Sequence, residues 1–205
     1  PRHEKISSMN DLKGKRVGIW KVGFGDYALM VDKEHNLEIE WIPFVQNINL
    51  FISGVIDATL AMSYNEILQI RAAGYDISTA ISIADEGYDF PEDGLYVSED
   101  YFRNNPQTVK AFADASRKGW EWAQEHPEET LEIVMEKTHS NNIATNRTHQ
   151  KWMLEEVLKL NKDTEIGTAT YTLKSDQVRR LSDLLVKHGM ISKPVTYETI
   201  TGQTL

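Results

Sequence analysis

Val17-Gly18-Ile19-Trp20-Lys21-Val22-Gly23-Phe24-Gly25-Asp26-Tyr27 runs from apolar residues into a glycine pair, and a helical pattern starts directly after it. This order reads as a strand, a tight loop and a helix N-terminus. Such a loop aims bare backbone N–H groups and the positive helix end at whatever lies beyond the strand, which makes it a seat for a ligand. Gly-x-Gly at a strand end also serves as a bare turn.

Outward from this stretch, strands and helices alternate as far as Ile83. Arg16 to Trp20 reads as a strand, and Asp26 to His35 as a helix with Tyr27, Met30 and Val31 on one face. Leu37 to Ile42 reads as a strand stopped by Pro43, and Asn47 to Ser53 as a helix ended by Gly54. Ile56 to Ala61 is a further strand, Asn65 to Ala73 a helix closed by Gly74, and Ile77 to Ile83 another strand. Strands separated by helices of this length imply βαβ units and a mainly parallel sheet, so the chain is α/β.

Beyond Ser98 the pattern is mostly helical. Ser98 caps a short helix, and Pro106 opens a longer one whose inner stripe is Val109, Phe112, Ala113, Ser116 and Trp120. Pro127 starts a helix carrying Leu131, Val134 and Met135, and the polar tract Thr138 to Thr148 leads to a helix around Trp152 to Leu160. Ser175 caps a last helix bearing Val178, Leu181, Leu184 and Leu185, ended by Gly189. Asp85 to Gly94, rich in Gly, Pro, Asp and Glu, reads as a connector between domains 1–93 and 94–205.

The 205 residues suffice for one large domain or two small lobes, and 40% hydrophobic with 26% charged residues is an ordinary globular balance. The net charge of −9 argues against a nucleic-acid partner. With no cysteine there is no disulfide, thiol nucleophile or Cys-ligated metal, and the six histidines lack metal-ligand spacing, so no metal or cofactor is expected. No serine stands in a Gly-x-Ser-x-Gly elbow, so no catalytic residue is assigned and the chain is read as a binder. Glu121, Glu125, Glu128, Glu129 and Glu132 form an acidic helical face expected to be solvated, and Trp120 and Trp122 read as core plus surface. Asn146-Arg147-Thr148 matches a glycosylation sequon, a frequent chance match. The chain opens at Pro1-Arg2-His3 without methionine, which reads as a processed protein or a fragment.

In a parallel sheet, ligands sit at the carboxyl ends of the strands. The candidates there are Trp20, Gly23, Phe24, Gly25, Asp26, Tyr27, Tyr64, Asn65, Glu66 and Tyr88. Rings stack on planar ligands, while amides and carboxylates bond ring nitrogens and amino groups. Each has a plainer reading. Trp20 and Phe24 could pack between strand and helix, Asn65 could cap its helix with Glu66 favouring the positive end, and Tyr88 could be a solvated connector residue.

Asp11-Leu12-Lys13-Gly14-Lys15-Arg16-Val17-Gly18-Ile19-Trp20 with Gly23-Phe24 resembles the entry to the second lobe of ABC-transporter solute-binding proteins, in the NMT1/THI5-like group. The likeness continues through Trp41-Ile42-Pro43, Phe51-Ile52-Ser53-Gly54-Val55-Ile56-Asp57-Ala58, Ala61-Met62-Ser63-Tyr64-Asn65-Glu66, Tyr88 to Tyr96 and Asn105 to Phe112. It implies a periplasmic-binding-protein-like fold of type II, with 1–93 as lobe two and 94–205 as the C-terminal part of lobe one. The front of lobe one is absent from this chain, so a partner chain or self-association could complete it.

The resemblance implies a non-enzymatic solute-binding component of an ABC importer, working with a membrane permease outside the cytoplasm, periplasmic or membrane-anchored. Its ligand is expected to be a small nitrogen heterocycle, such as a thiamine-precursor pyrimidine, held by the strand-end loop and by Tyr64, Asn65 and Glu66. Glu66 is expected to accept from a ligand amino group, so that Glu66→Ala costs more affinity than Glu34→Ala. A sensory domain of a signalling protein is the alternative. A thiamine-pyrimidine synthase is disfavoured, since its cysteine-rich motif has no counterpart here.

Overall fold

The computed structural model describes residues 6–20, 25–44, 48–91, 93–161 and 171–202. They fall into two compact units, Pro1–Asp89 and Phe90–Leu205.

The first unit is built on β1 (Arg16–Trp20), α1 (Gly25–His35), β2 (Glu40–Phe44), α2 (Asn49–Ile52), β3 (Ala58–Thr59) and α3 (Glu66–Ala72). The strands form a parallel sheet in the order β2-β1-β3, with β1 central. Trp20 lies opposite Phe44 in one pairing, and Gly18 opposite Thr59 in the other. β1 is buried through Val17, Gly18 and Ile19, as the central strand of a parallel sheet must be. Gly18 fits because neighbours crowd it: a Cβ there would lie 2.8 Å from both Ile56 Cδ1 and Thr59 Oγ1. Gly25 lets α1 settle on β1, since its Cβ would meet Ile19 Cδ1 at 2.9 Å.

Polar ties hold the register. The Asp57 carboxylate accepts from Arg16 N at 2.9 Å, from Arg16 Nε at 3.1 Å and from Arg16 Nη2 at 2.9 Å. Asp32 of α1 accepts from the Trp41 indole at 2.8 Å, tying the helix to β2.

Three expectations for this unit are corrected. Pro43 does not stop β2. It lies within the strand, opposite Ile19, which an edge strand tolerates. Only Ala58 and Thr59 of the expected Ile56 to Ala61 strand join the sheet. Ile77 to Ile83 is not a strand: Asp76 accepts from Ser78 N and Ser78 Oγ, both at 2.9 Å, and Ala80 N donates to Ile77 O. That local turn gives the backbone an alternative to the ladder. Gly74 closes α3 as read, at φ +90°, a conformation costly for other residues.

The second unit contains α4 (Glu99–Asn104), α5 (Pro106–Glu125), α6 (Pro127–Ser140), α7 (Arg147–Leu160), α8 (Ser175–Lys187) and α9 (Tyr197–Thr201). Ser98 Oγ accepts from Tyr101 N, and Pro106 and Pro127 each sit in a first helical turn, as their positions require. Leu131 of α6 is 1% exposed, and α6 packs on α7. Across that seam Glu128 accepts from Lys151 Nζ at 2.7 Å and pairs with Arg147. The Lys151 ammonium holds the Glu128 carboxyl below its usual range. Part of the acidic face is therefore a clamp between helices as well as a solvated surface.

Other readings shift here. The expected inner stripe of α5 is open, with Phe112 63% exposed and Trp120 exposed as well. Trp122 is exposed too and stacks on His126 at 4.8 Å, so neither tryptophan is core. Ser175 is the first residue of α8 and not its cap; Gln177 Oε1 accepts from Lys174 N at that position. α8 is not the last helix, because α9 follows with Thr196 accepting from Thr199 N. Asn146 of the sequon caps α7, accepting from His149 N at 2.9 Å. Among the described residues no helix is long and apolar enough to cross a membrane.

Candidate functional site

β1 and β3 are parallel neighbours, so the segments that leave them depart from one edge of the sheet. Leu60 N donates to Gly18 O at 2.9 Å, which carries that alignment one residue past β3. β2 ends at the same edge with Phe44 beside Trp20. The carboxyl edge thus gathers the ends of all three described strands, and the chain leaves it toward α1 from β1 and toward α3 from β3.

Trp20 is the last residue of the central strand, and its ring lies 4.5 Å from that of Phe44 at an interplanar angle of 52°. The indole N–H is buried and has no hydrogen-bond partner among the described residues. Leaving a buried donor unpaired costs on the order of 1–3 kcal/mol, and native proteins rarely do so without cause. The signal for this atom is invisible in sequence, where Trp20 is only an aromatic at a strand end.

Gly23 and Phe24 lie outside the described residues. Gly25 opens α1 and is buried against Ile19, so its smallness already serves helix–strand packing. Asp26 is exposed in the first turn of α1, where a carboxylate suits the positive helix end. Tyr27 follows it, half-buried.

The second cluster is knit together internally. Glu66 is 4% exposed. Its Oε2 accepts from Met62 N at 2.8 Å, and its Oε1 accepts from Asn65 Nδ2 at 2.9 Å. Asn65 Oδ1 in turn accepts from Gln69 Nε2 at 3.0 Å. Asn65 stands at the N-cap of α3, but its side chain makes no capping bond. Its side chain turns instead toward Glu66 and Gln69, and Tyr64 stands half-buried beside it.

Tyr88 is elsewhere. It is 8% exposed, and its hydroxyl donates to Glu34 Oε2 near the C-terminal end of α1. Glu34 lies about 14 Å along the helix from Gly25. α1 returns the chain to the amino edge, where Glu40 N donates to Lys15 O and β2 begins. Burial, and next the Glu34 carboxylate, push the Tyr88 phenol above its ordinary range. The structure therefore places Trp20 at the end of β1, Gly25 to Tyr27 at the start of α1, and Tyr64 to Glu66 where the chain passes from β3 into α3, with Tyr88 held apart against Glu34. Glu34, chosen in sequence as a bystander, has a structural partner.

Among the described residues no group of three His, Cys, Asp or Glu side chains could hold a metal ion. A cavity of about 410 Å³ lies in the second unit, between the start of α8 and the segment leading into α9. Ser175, Asp176, Arg179 and Tyr197 line it, and none of them is among the candidate site residues of the sequence. Ser182 Oγ, in its wall, accepts from Val195 N at 2.7 Å, and Asp176 pairs with Arg180 at 3.8 Å. These are structural ties.

The riboflavin-binding protein RibY of Chloroflexus aurantiacus is 25% identical to this chain over 138 residues. That match covers 64% of this chain and 38% of the relative, so the chain spans well under half of the relative's length. The family model described as NMT1/THI5 like matches residues 1–130, which take in the whole sheet, its carboxyl edge and the first two helices of the second unit. On this match over more than half its length, the chain belongs to the NMT1/THI5-like family.

Proposed function

We propose that this chain is the ligand-binding part of a solute-binding protein that captures a small, planar nitrogen heterocycle and presents it to a membrane permease outside the cytoplasm. The observation that carries the reading is the carboxyl edge of the sheet, where Trp20 and Phe44 end adjacent parallel strands with their rings in contact, and from which the chain runs on past β3 through Tyr64 and Asn65. Aromatic rings offer stacking surfaces, and the polar groups among them fix a ligand's orientation. Membership of the family supports binding rather than catalysis. The Chloroflexus relative is named for riboflavin, itself a planar nitrogen heterocycle, and we extend that chemical class to this chain alongside the thiamine-type aminopyrimidines.

In this reading residues 1–93 are lobe two and 94–205 the C-terminal part of lobe one of a type II periplasmic-binding-protein arrangement. A ligand can drive closure of two lobes only by binding the closed form better than the open one. The Glu66 carboxylate at the edge disfavours sulfonates and other anions, because like charges repel at close range.

Calorimetric titration with riboflavin, the hydroxymethyl aminopyrimidine of thiamine, and taurine tests the proposal. Saturable one-to-one binding of a heterocycle, with none of taurine, is expected. Heat from taurine alone, or from none of the three, would overturn it.

A further inference from the structure

We infer that the ligand places a hydrogen-bond acceptor, a carbonyl oxygen or an unprotonated ring nitrogen, against the Trp20 indole N–H. The inference rests on the solute-binding reading and deepens it, moving the decisive polar contact from Glu66 to Trp20.

Two observations carry it. The first is the buried Trp20 Nε1, which has no partner among the described residues at the edge where the strand ends meet. The Trp20 face of β1 is not the α1 face: Ile19 turns to Gly25, while Gly18 and Trp20 lie on the side of Phe44. The indole packs against the Phe44 ring, which limits its freedom before any ligand arrives.

The second observation concerns the rival group. Glu66 is 4% exposed, and both of its oxygens already accept hydrogen bonds from Met62 and Asn65. A carboxylate so enclosed holds the strand-to-helix turn in shape and leaves little room for a ligand amino group. Glu66 is thus a positioning residue for Asn65 and for the turn that begins at Met62. A site with an unpaired donor and an occupied carboxylate selects ligands by their acceptors. An indole donor that stays unpaired with the wrong ligand penalises that ligand, which is how polar sites discriminate.

The test uses the full chain with riboflavin and the aminopyrimidine as probes. Trp20→Phe keeps an aromatic ring against Phe44 and removes the donor. It is expected to weaken binding of the better probe about tenfold, whereas Glu66→Gln stays within about threefold of the parent. In ¹⁵N-labelled protein, one of the five indole N–H signals disappears in Trp20→Phe and is thereby assigned. That signal is expected to move downfield as the probe saturates the parent protein. If Trp20→Phe does not fold, the signal is assigned through its proximity to the Phe44 ring and the titration is read on the parent alone. Binding by the parent with an unmoved Trp20 signal, or with undiminished affinity in Trp20→Phe, overturns this inference and leaves the solute-binding reading standing. Failure of the parent to bind either probe removes both.

Discussion

A buried carboxylate persists only when its oxygens are occupied, and Glu66 meets that condition within its own turn. Removing it strands the Met62 N–H and the Asn65 amide together. Glu66→Ala is therefore expected to lose about 1–3 kcal/mol of stability, measured by urea denaturation. A change of under ~0.5 kcal/mol would show that the turn is held by something else. Asp57 makes the complementary case at the amino edge. Its hydrogen bond with the Arg16 guanidinium is the largest influence, and it lowers the carboxyl below its ordinary value. A group whose folded pKa is depressed adds stability above its unfolded pKa and loses it as pH falls through the folded value. Stability should therefore decline as pH drops below about 4. Asp57→Asn should flatten that decline and lower the neutral-pH melting midpoint by about 4–8 °C. Unchanged acid sensitivity in Asp57→Asn would assign the effect to other carboxylates.

At the scale of elements, apolar periodicity located helices well but did not say which stripe would find a partner. α5 and α6 both carry apolar stripes, yet Leu131 is 1% exposed while Phe112 is 63% exposed. Leu131→Ala should cost about 2–5 kcal/mol by opening a cavity in the core, and Phe112→Ala less than ~0.5 kcal/mol. Comparable losses from the two would mean that Phe112 is covered in solution. The same limit explains the missing strand at Ile77 to Ile83. Its apolar residues alternate as a strand's do, but Asp76 and Ser78 close a local turn that competes with the ladder. Pro43 errs in the other direction. It breaks a central strand, but β2 is an edge, and edge position is a property of the sheet and not of the dipeptide.

At the scale of the whole molecule, 94–98 carries no regular structure and its side chains are exposed, with Tyr96 at 83%. Chymotrypsin at low ratio should cut first after Leu95 or Tyr96, because exposed irregular backbone fits a protease cleft. Mass spectrometry should then find fragments of about 1–96 and 97–205. A first cut inside α1 or α6 would refute that. The division into a βαβ half and a helical half was legible in residue order alone: strand-period and helix-period apolar patterns are local, and so are the Ser98 cap, the Pro106 and Pro127 starts and the Gly74 stop. That strand ends would share a carboxyl edge was legible too, because parallel strands place their ends there whatever the details. Folding in three dimensions was needed for the rest. It put Tyr88 against Glu34, enclosed Glu66 among its own donors, and left two indole N–H groups, those of Trp20 and Trp152, buried without a partner among the described residues. Burial and hydrogen-bond pairing depend on which distant segments meet, and no local pattern along the chain encodes that meeting.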